Sequence, residues 1–114
     1  MYYENVLATI GNTPLIKLNR ICKNVPAKVL AKVESFNPGH SAKDRIALYM
    51  IEQAERQGKI EPGGTIIEAT SGNTGFSLAM VSALKGYKCV LTVSSKSSQE
   101  KIMLLRSMGA EVIV

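Results

Sequence analysis

The sequence predicts an α/β fold, a parallel sheet of βα units preceded by an N-terminal β-hairpin. Three observations carry that class. From Ser41 onward the apolar pattern swings between helical spacing and short extended runs, three cycles in succession. Each change falls at a turn rich in glycine, proline or serine, and the connections are two to six residues long. Short alternating connections favour right-handed crossovers between parallel strands.

The elements follow in order. Leu15 to Leu18 and Lys28 to Glu34 are extended segments separated by a loop containing Pro26, and Val29, Ala31 and Val33 recur at period two, the mark of one buried face. From Ser41 the period becomes helical through Ile46, Met50, Ile51 and Ala54. Glu52 and Arg56 form an exposed pair four residues apart, and Gly58 supplies a C-terminal stop. Ser41 or the Pro38-Gly39 turn caps the start. "GGTIIEA" gives a turn and a short buried strand, and "SGNTG" leads into a helix over Phe76 to Leu84 closed by Gly86. A strand over Lys88 to Val93 precedes a serine-rich loop, where Ser97 and Glu100 form a capping box on a helix that ends at Gly109. Glu111 to Val114 is the last strand.

Composition narrows the function classes. The 114 residues are 46% hydrophobic and 20% charged, as a globular core requires. No apolar run approaches the roughly 18 residues of a membrane span. The start "MYYENVLATIGNTP" has neither a basic segment nor an apolar signal core, so a cytoplasmic protein without membrane contact is expected. Cys22 and Cys89 are far apart and lack metal-ligand spacing, so neither a disulfide framework nor a metal site is expected, and Cys89 reads as a buried small hydrophobe. The net charge is +5, but the lysines and arginines are dispersed and not interleaved with aromatics. That pattern argues against nucleic acid and suits a modest attraction for small anions.

Ligands of open parallel sheets bind beyond the carboxyl ends of strands. "ATSGNTG", Ala69 to Gly75, meets that description: Thr70, Ser71, Asn73 and Thr74 can donate hydrogen bonds beside the free amides of a helix start. An ordinary capped helix and a carboxylate or phosphate site both fit. A dinucleotide fold does not, because GxGxxG is absent and the next strand runs into Val93-Ser94-Ser95 without an acidic residue for a ribose. The other loop, "SFNPGHSAKDR", places Lys43 at a helix start, where the dipole disfavours a cation by up to about 1 kcal/mol. A neutral amine there is the form that condenses with an aldehyde, although a merely solvated lysine also fits the position.

Together "NPGHSAKDR" and "EATSGNTG" resemble the two signature segments of the pyridoxal-phosphate enzymes of the cysteine synthase and cystathionine β-synthase family. The likeness extends over "IGNTPLIKL", "GYKCVL" and "LRSMGAEV", and "MIEQAERQGKIEPGGTIIEATSGNTG" with "SSQEK" is most similar to the cystathionine β-synthases. The resemblance implies a tryptophan synthase β-like architecture of fold type II, incomplete here, with pyridoxal 5'-phosphate as cofactor. It implies that Lys43 holds the cofactor and later removes the substrate Cα proton. Asn73 would bond the cofactor ring hydroxyl, and Thr70, Ser71, Asn73 and Thr74 would clamp the substrate carboxylate. The implied reaction is β-replacement on serine by homocysteine to give cystathionine; the alternative is cysteine formation from O-acetylserine and sulfide. The partners are then small amino-acid and thiol substrates and, for the complete enzyme, a second subunit in a homodimer.

Two positions depart from the family. His40 stands where a small residue is usual and is either a loop residue or a proton carrier, and Ala42 stands where valine is usual. The family's phosphate loop and its partner for the pyridine nitrogen have no counterpart before Val114. The resemblance therefore assigns residues 15–34 to a hairpin of an otherwise missing C-terminal domain. Residues 1–14 and 35–114 become most of the N-terminal domain without its last strand, inactive alone. A reading of another class, a non-catalytic fragment binding an anion or a partner protein, remains open on the residues, although it gives Lys43 no task.

Overall fold

The extended segments flanking the Pro26 loop pair as an antiparallel ribbon, β1 (Leu15–Lys17) with β2 (Leu30–Lys32), with Leu15 opposite Lys32 and Lys17 opposite Leu30. The computed structural model describes residues 1–70 and 72–114. Both strands are shorter than their patterns predicted. Val29, Ala31 and Val33 are half-buried, but Leu15 and Leu30 are exposed, because no second layer among the described residues covers the ribbon.

The three βα cycles form as predicted. Helix α1 (Lys43–Arg56) leads to β3 (Thr65–Ala69), α2 (Asn73–Lys85), β4 (Lys88–Thr92), α3 (Gln99–Ser107) and β5 (Glu111–Ile113). The three strands are parallel in the order β3-β4-β5, with Ile66 opposite Cys89 and Leu91 opposite Val112. Ile66, Cys89, Leu91 and Val112 share the face that packs on α2 and α3, while α1 packs on α2 as an outer layer. Cys89 is buried in this core, as expected. The opposite face carries Ile67 and Ile113, both exposed.

Helix ends show where local chemistry decides. Gly58 adopts a left-handed φ of 63°, its amide bonds Glu55 O, and the Lys59 amide bonds Ala54 O, which together make a Schellman stop. Three expectations shift. The cap of α3 is Ser98, whose Oγ accepts the Lys101 amide at 3.3 Å, one residue beyond Ser97. Strand β3 is the edge of its sheet and has no fully buried residue, so the buried strand expected there is corrected. In α1 the buried residues are Asp44, Ala47 and Ile51, whereas Ile46 and Met50 face outward. Both stripes have helical spacing, and small Ala47 is the one that allows close approach to α2.

Candidate active site

The turn before α1 is rigidly built. Asn37 is buried; its Oδ1 accepts the Gly11 amide at 2.8 Å, and its Nδ2 donates to Glu34 O and Oε2, both at 2.9 Å. The His40 amide closes the turn on Asn37 O at 2.8 Å, and His40 itself takes a left-handed φ of 62°, uncommon for a residue with a side chain. Lys43 is the first residue of α1 and its side chain is exposed. Its amide donates to Ser41 Oγ at 3.2 Å, a local bond two residues back; the N-cap position is Ala42, which makes no side-chain cap bond, so the cap expected from Ser41 or the Pro38-Gly39 turn is corrected. The Asp44 carboxylate is fully buried: Oδ2 accepts the Gly39 amide at 2.5 Å and Oδ1 accepts Ser77 Oγ of α2 at 2.5 Å.

Arg45 fixes the outer side of the same turn. It grips both Glu34 oxygens, at 2.8 and 2.9 Å, and donates to Gly11 O and Thr13 Oγ1. The Arg45 guanidinium, then the Thr13 hydroxyl and Asn37, hold the Glu34 carboxyl down at about 2, and Glu34 in turn raises Arg45 above its ordinary value.

The second loop leaves β3 and enters α2. The Thr70 amide extends the sheet by bonding Thr92 O at 3.0 Å, and Thr70 Oγ1 accepts the amides of Gly72 and Gly75 at 3.4 and 3.2 Å. That leaves the Thr70 hydroxyl proton available to donate. Gly75 is required here, since a Cβ would strike the Thr70 methyl group. Asn73 is exposed and Thr74 half-buried at the first two positions of α2, where backbone amides have no intrahelical acceptor. The helix thus starts three residues earlier than its apolar pattern, inside "SGNTG". Ser71 lies outside the described residues.

Both loops open on one cavity of about 380 Å³. Gly39 and His40 reach it from the first loop, Gly72 and Asn73 from the second, and Phe76 and α3 wall it. Lys43 is not among its lining residues but stands three positions beyond His40. The structure therefore brings together the turns of His40, Lys43 and Asn73. Asn37, Asp44 and Arg45 were missed as site residues although they lie within "NPGHSAKDR", because their partners Gly11, Ser77 and Glu34 are distant in sequence.

Pyridoxal-phosphate dependent enzymes match as a family over residues 6–114. The chain belongs to that family. It is 54% identical to rat cystathionine beta-synthase over 111 residues, covering 96% of the chain and 20% of the relative. It is 53% identical to cysteine synthase of Staphylococcus aureus, covering 97% of the chain and 36% of the relative. Among solved structures, cysteine synthase from Entamoeba histolytica superposes with a TM-score of 0.94 at 39% identity, over the whole chain and 35% of that structure. O-ureido-L-serine synthase gives 0.90 at 43% identity, over 99% of the chain and 35% of that structure. The chain thus spans between a fifth and about a third of the length of these proteins. Its fold is the corresponding part of theirs.

The cofactor of the family is pyridoxal phosphate, and the donor set here suits it. An accessible primary amine, an exposed carboxamide and a helix start offering free amides answer an aldehyde, a ring hydroxyl and an anion.

Proposed function

We propose that this protein takes part in β-replacement on serine or an activated serine, with homocysteine as the thiol and cystathionine as the product. The observation that carries the reading is the meeting of the Lys43 and Asn73 turns at one cavity, in a chain of the pyridoxal-phosphate family. Pyridoxal phosphate supplies an electron sink when bound, which the side chains lack. Lys43 offers the amine that holds it, and afterwards the base that takes a proton from the substrate Cα. Asn73 orients the ring through its carboxamide. Thr70, Ser71, Asn73 and Thr74 hold the substrate carboxylate at the start of α2, where the dipole favours an anion. His40 lines the cavity, where the reading as a proton carrier stands beside that of a loop residue bonded locally toward Ser35 O.

The superposition on a cysteine synthase favours a second reading, cysteine formation from O-acetylserine and sulfide. In either case residues 15–34 pair with a further sheet, and the complete protein is a cytoplasmic homodimer. The ribbon's exposed Leu15, Ile16 and Leu30 support that division. None of the helices among the described residues is long and apolar enough to cross a membrane.

Borohydride reduction in the presence of pyridoxal phosphate, with peptide mass mapping and Lys43→Ala as control, tests the reading. A stoichiometric adduct confined to Lys43 is expected. In the intact protein, serine with homocysteine should yield cystathionine faster than O-acetylserine with sulfide yields cysteine; the reverse order selects the second reading. Scattered labelling of exposed lysines, with neither product, would instead leave a non-catalytic binding fragment.

A further inference from the structure

We infer that Asp44 is a positioning residue: acting through Ser77, it locks the turn that carries Lys43 against the start of α2 and so sets where the Lys43 amine stands relative to Asn73. The inference rests on the roles proposed above for Lys43 and Asn73.

Asp44 and Ser77 are both wholly buried and lie 33 residues apart in sequence, yet their side chains meet at 2.5 Å. The other Asp44 oxygen takes the Gly39 amide at the same distance. Both contacts are short hydrogen bonds to a buried carboxylate. A buried carboxylate is costly unless donors surround it, and among the described residues no cation pairs with this one. Two donors and the positive end of α1 hold it instead.

The arrangement leaves little slack. A Cβ on Gly39 would run into the Asp44 carboxylate, so the turn can close this tightly only on glycine. The bond also falls beside the chemistry on each helix. Asp44 follows Lys43 directly, and Ser77 lies one turn beyond Asn73, at the i,i+4 spacing that shares a face. No side-chain bond to the Lys43 amine occurs among the described residues, so what the fold itself fixes is the backbone from which that exposed side chain starts. Asp44 fixes that backbone from both sides, to the turn through Gly39 and to α2 through Ser77. An apolar pair could join two helices, but it could not also hold the Gly39 amide.

The test uses Ser77→Ala, which removes one hydroxyl and leaves Lys43, Asp44 and Gly39 in place, with Ser77→Thr as the conservative rescue and Asp44→Asn as a second variant. Three quantities are measured in the intact protein: the rate of borohydride-trapped pyridoxal phosphate at Lys43 relative to other lysines, amide hydrogen exchange by segment, and the unfolding midpoint. Ser77→Ala should cut Lys43-selective trapping by roughly tenfold or more, as misplacement of a reacting group does. Exchange should rise only in residues 37–44 and 72–77, and Ser77→Thr should restore both. Unchanged trapping and exchange in folded Ser77→Ala would overturn the inference. So would faster exchange spread across the β4 core, or failure of both Ser77→Ala and Asp44→Asn to fold, since those mark a bond that merely supports the fold. If the parent protein shows no adduct at Lys43, the functional reading fails on its own, and the exchange pattern still decides whether Asp44 locks the turn.

Discussion

The parallel sheet and the antiparallel ribbon are held by different physics. In the sheet, β4 lies between two neighbours and beneath two helices, and its Leu91 has no exposed surface. In the ribbon, Leu15 is 61% exposed and Leu30 47%, and what fastens it to the body is polar. Glu34 at the foot of β2 collects Arg45, Thr13 and Asn37, and Lys32 Nζ donates to Thr13 O at 2.5 Å. An isolated two-stranded hairpin is marginal in water, so the ribbon's order depends on these bonds. The first loop of the candidate site is built on the same bonds, through Asn37 and Arg45, whereas the second loop is an extension of the sheet.

The widest separation between the regions should come from apolar truncation. Leu91→Ala removes side-chain bulk from a closed core and is expected to cost about 2–5 kcal/mol. Leu30→Ala trims a side chain that is about half exposed and should cost under about 1 kcal/mol. Urea unfolding of both variants measures the contrast. Equal losses would show that the ribbon shares the sheet's core.

Acid should reverse the order of sensitivity. The Glu34 carboxyl sits at about 2 in the folded chain against an ordinary 4.5. Between those values the unfolded state binds more protons, so the stability Glu34 contributes is complete above 4.5 and fades as pH falls toward about 2. Glu55, lowered chiefly by Lys85 and then by the Tyr87 hydroxyl, also titrates in acid, so the informative quantity is the parent minus Glu34→Gln. Hydrogen exchange resolves it by region. The ribbon amides of Leu18 and Val33, bonded to Val29 O and Pro14 O, should lose protection over this window before the amides of β4 do. Simultaneous loss in both regions would mean that the polar foot does not hold the ribbon independently.

Much of the sheet region was legible because its signals are local. Gly58 stops a helix through its own φ, and the alternation of periods marks three βα cycles whatever they pack against. Position alone marked Lys43 only as a cation at a helix start and Asn73 only as one of several small polar groups beside free amides; the roles proposed for them come from the family resemblance. What escaped depends on partners that a linear pattern does not reveal. Ile46 and Met50 match the helical period as well as Ala47 and Ile51 do, and only the proximity of α2 decides which pair is buried. Asp44 resembles an ordinary acidic residue in a first turn until Ser77 arrives from the next helix. The cap at Ser98 was missed by one residue because Ser94, Ser95, Ser97 and Ser98 all carry the same hydroxyl.

The smallest expected effect lies where both regions face the cavity. His40 holds a left-handed φ, its imidazole Nδ1 is 3.4 Å from Ser35 O, and no stronger side-chain bond holds it among the described residues. Glycine tolerates that conformation, but it also gains more freedom on unfolding, and the two effects largely cancel. His40→Gly should therefore change stability by under about 1 kcal/mol, in the stabilising direction. The loop is thus one place where a side chain can be removed without loosening the Asn37, Asp44 and Arg45 contacts that fix the turn. That separates the chemistry of His40 from its scaffold. If His40 carries a proton, turnover of the intact protein should fall and its pH profile should change while the unfolding midpoint holds. If turnover and pH profile both match the parent, the imidazole has no part in the reaction, and the cavity's polar work rests with Asn73 and the start of α2.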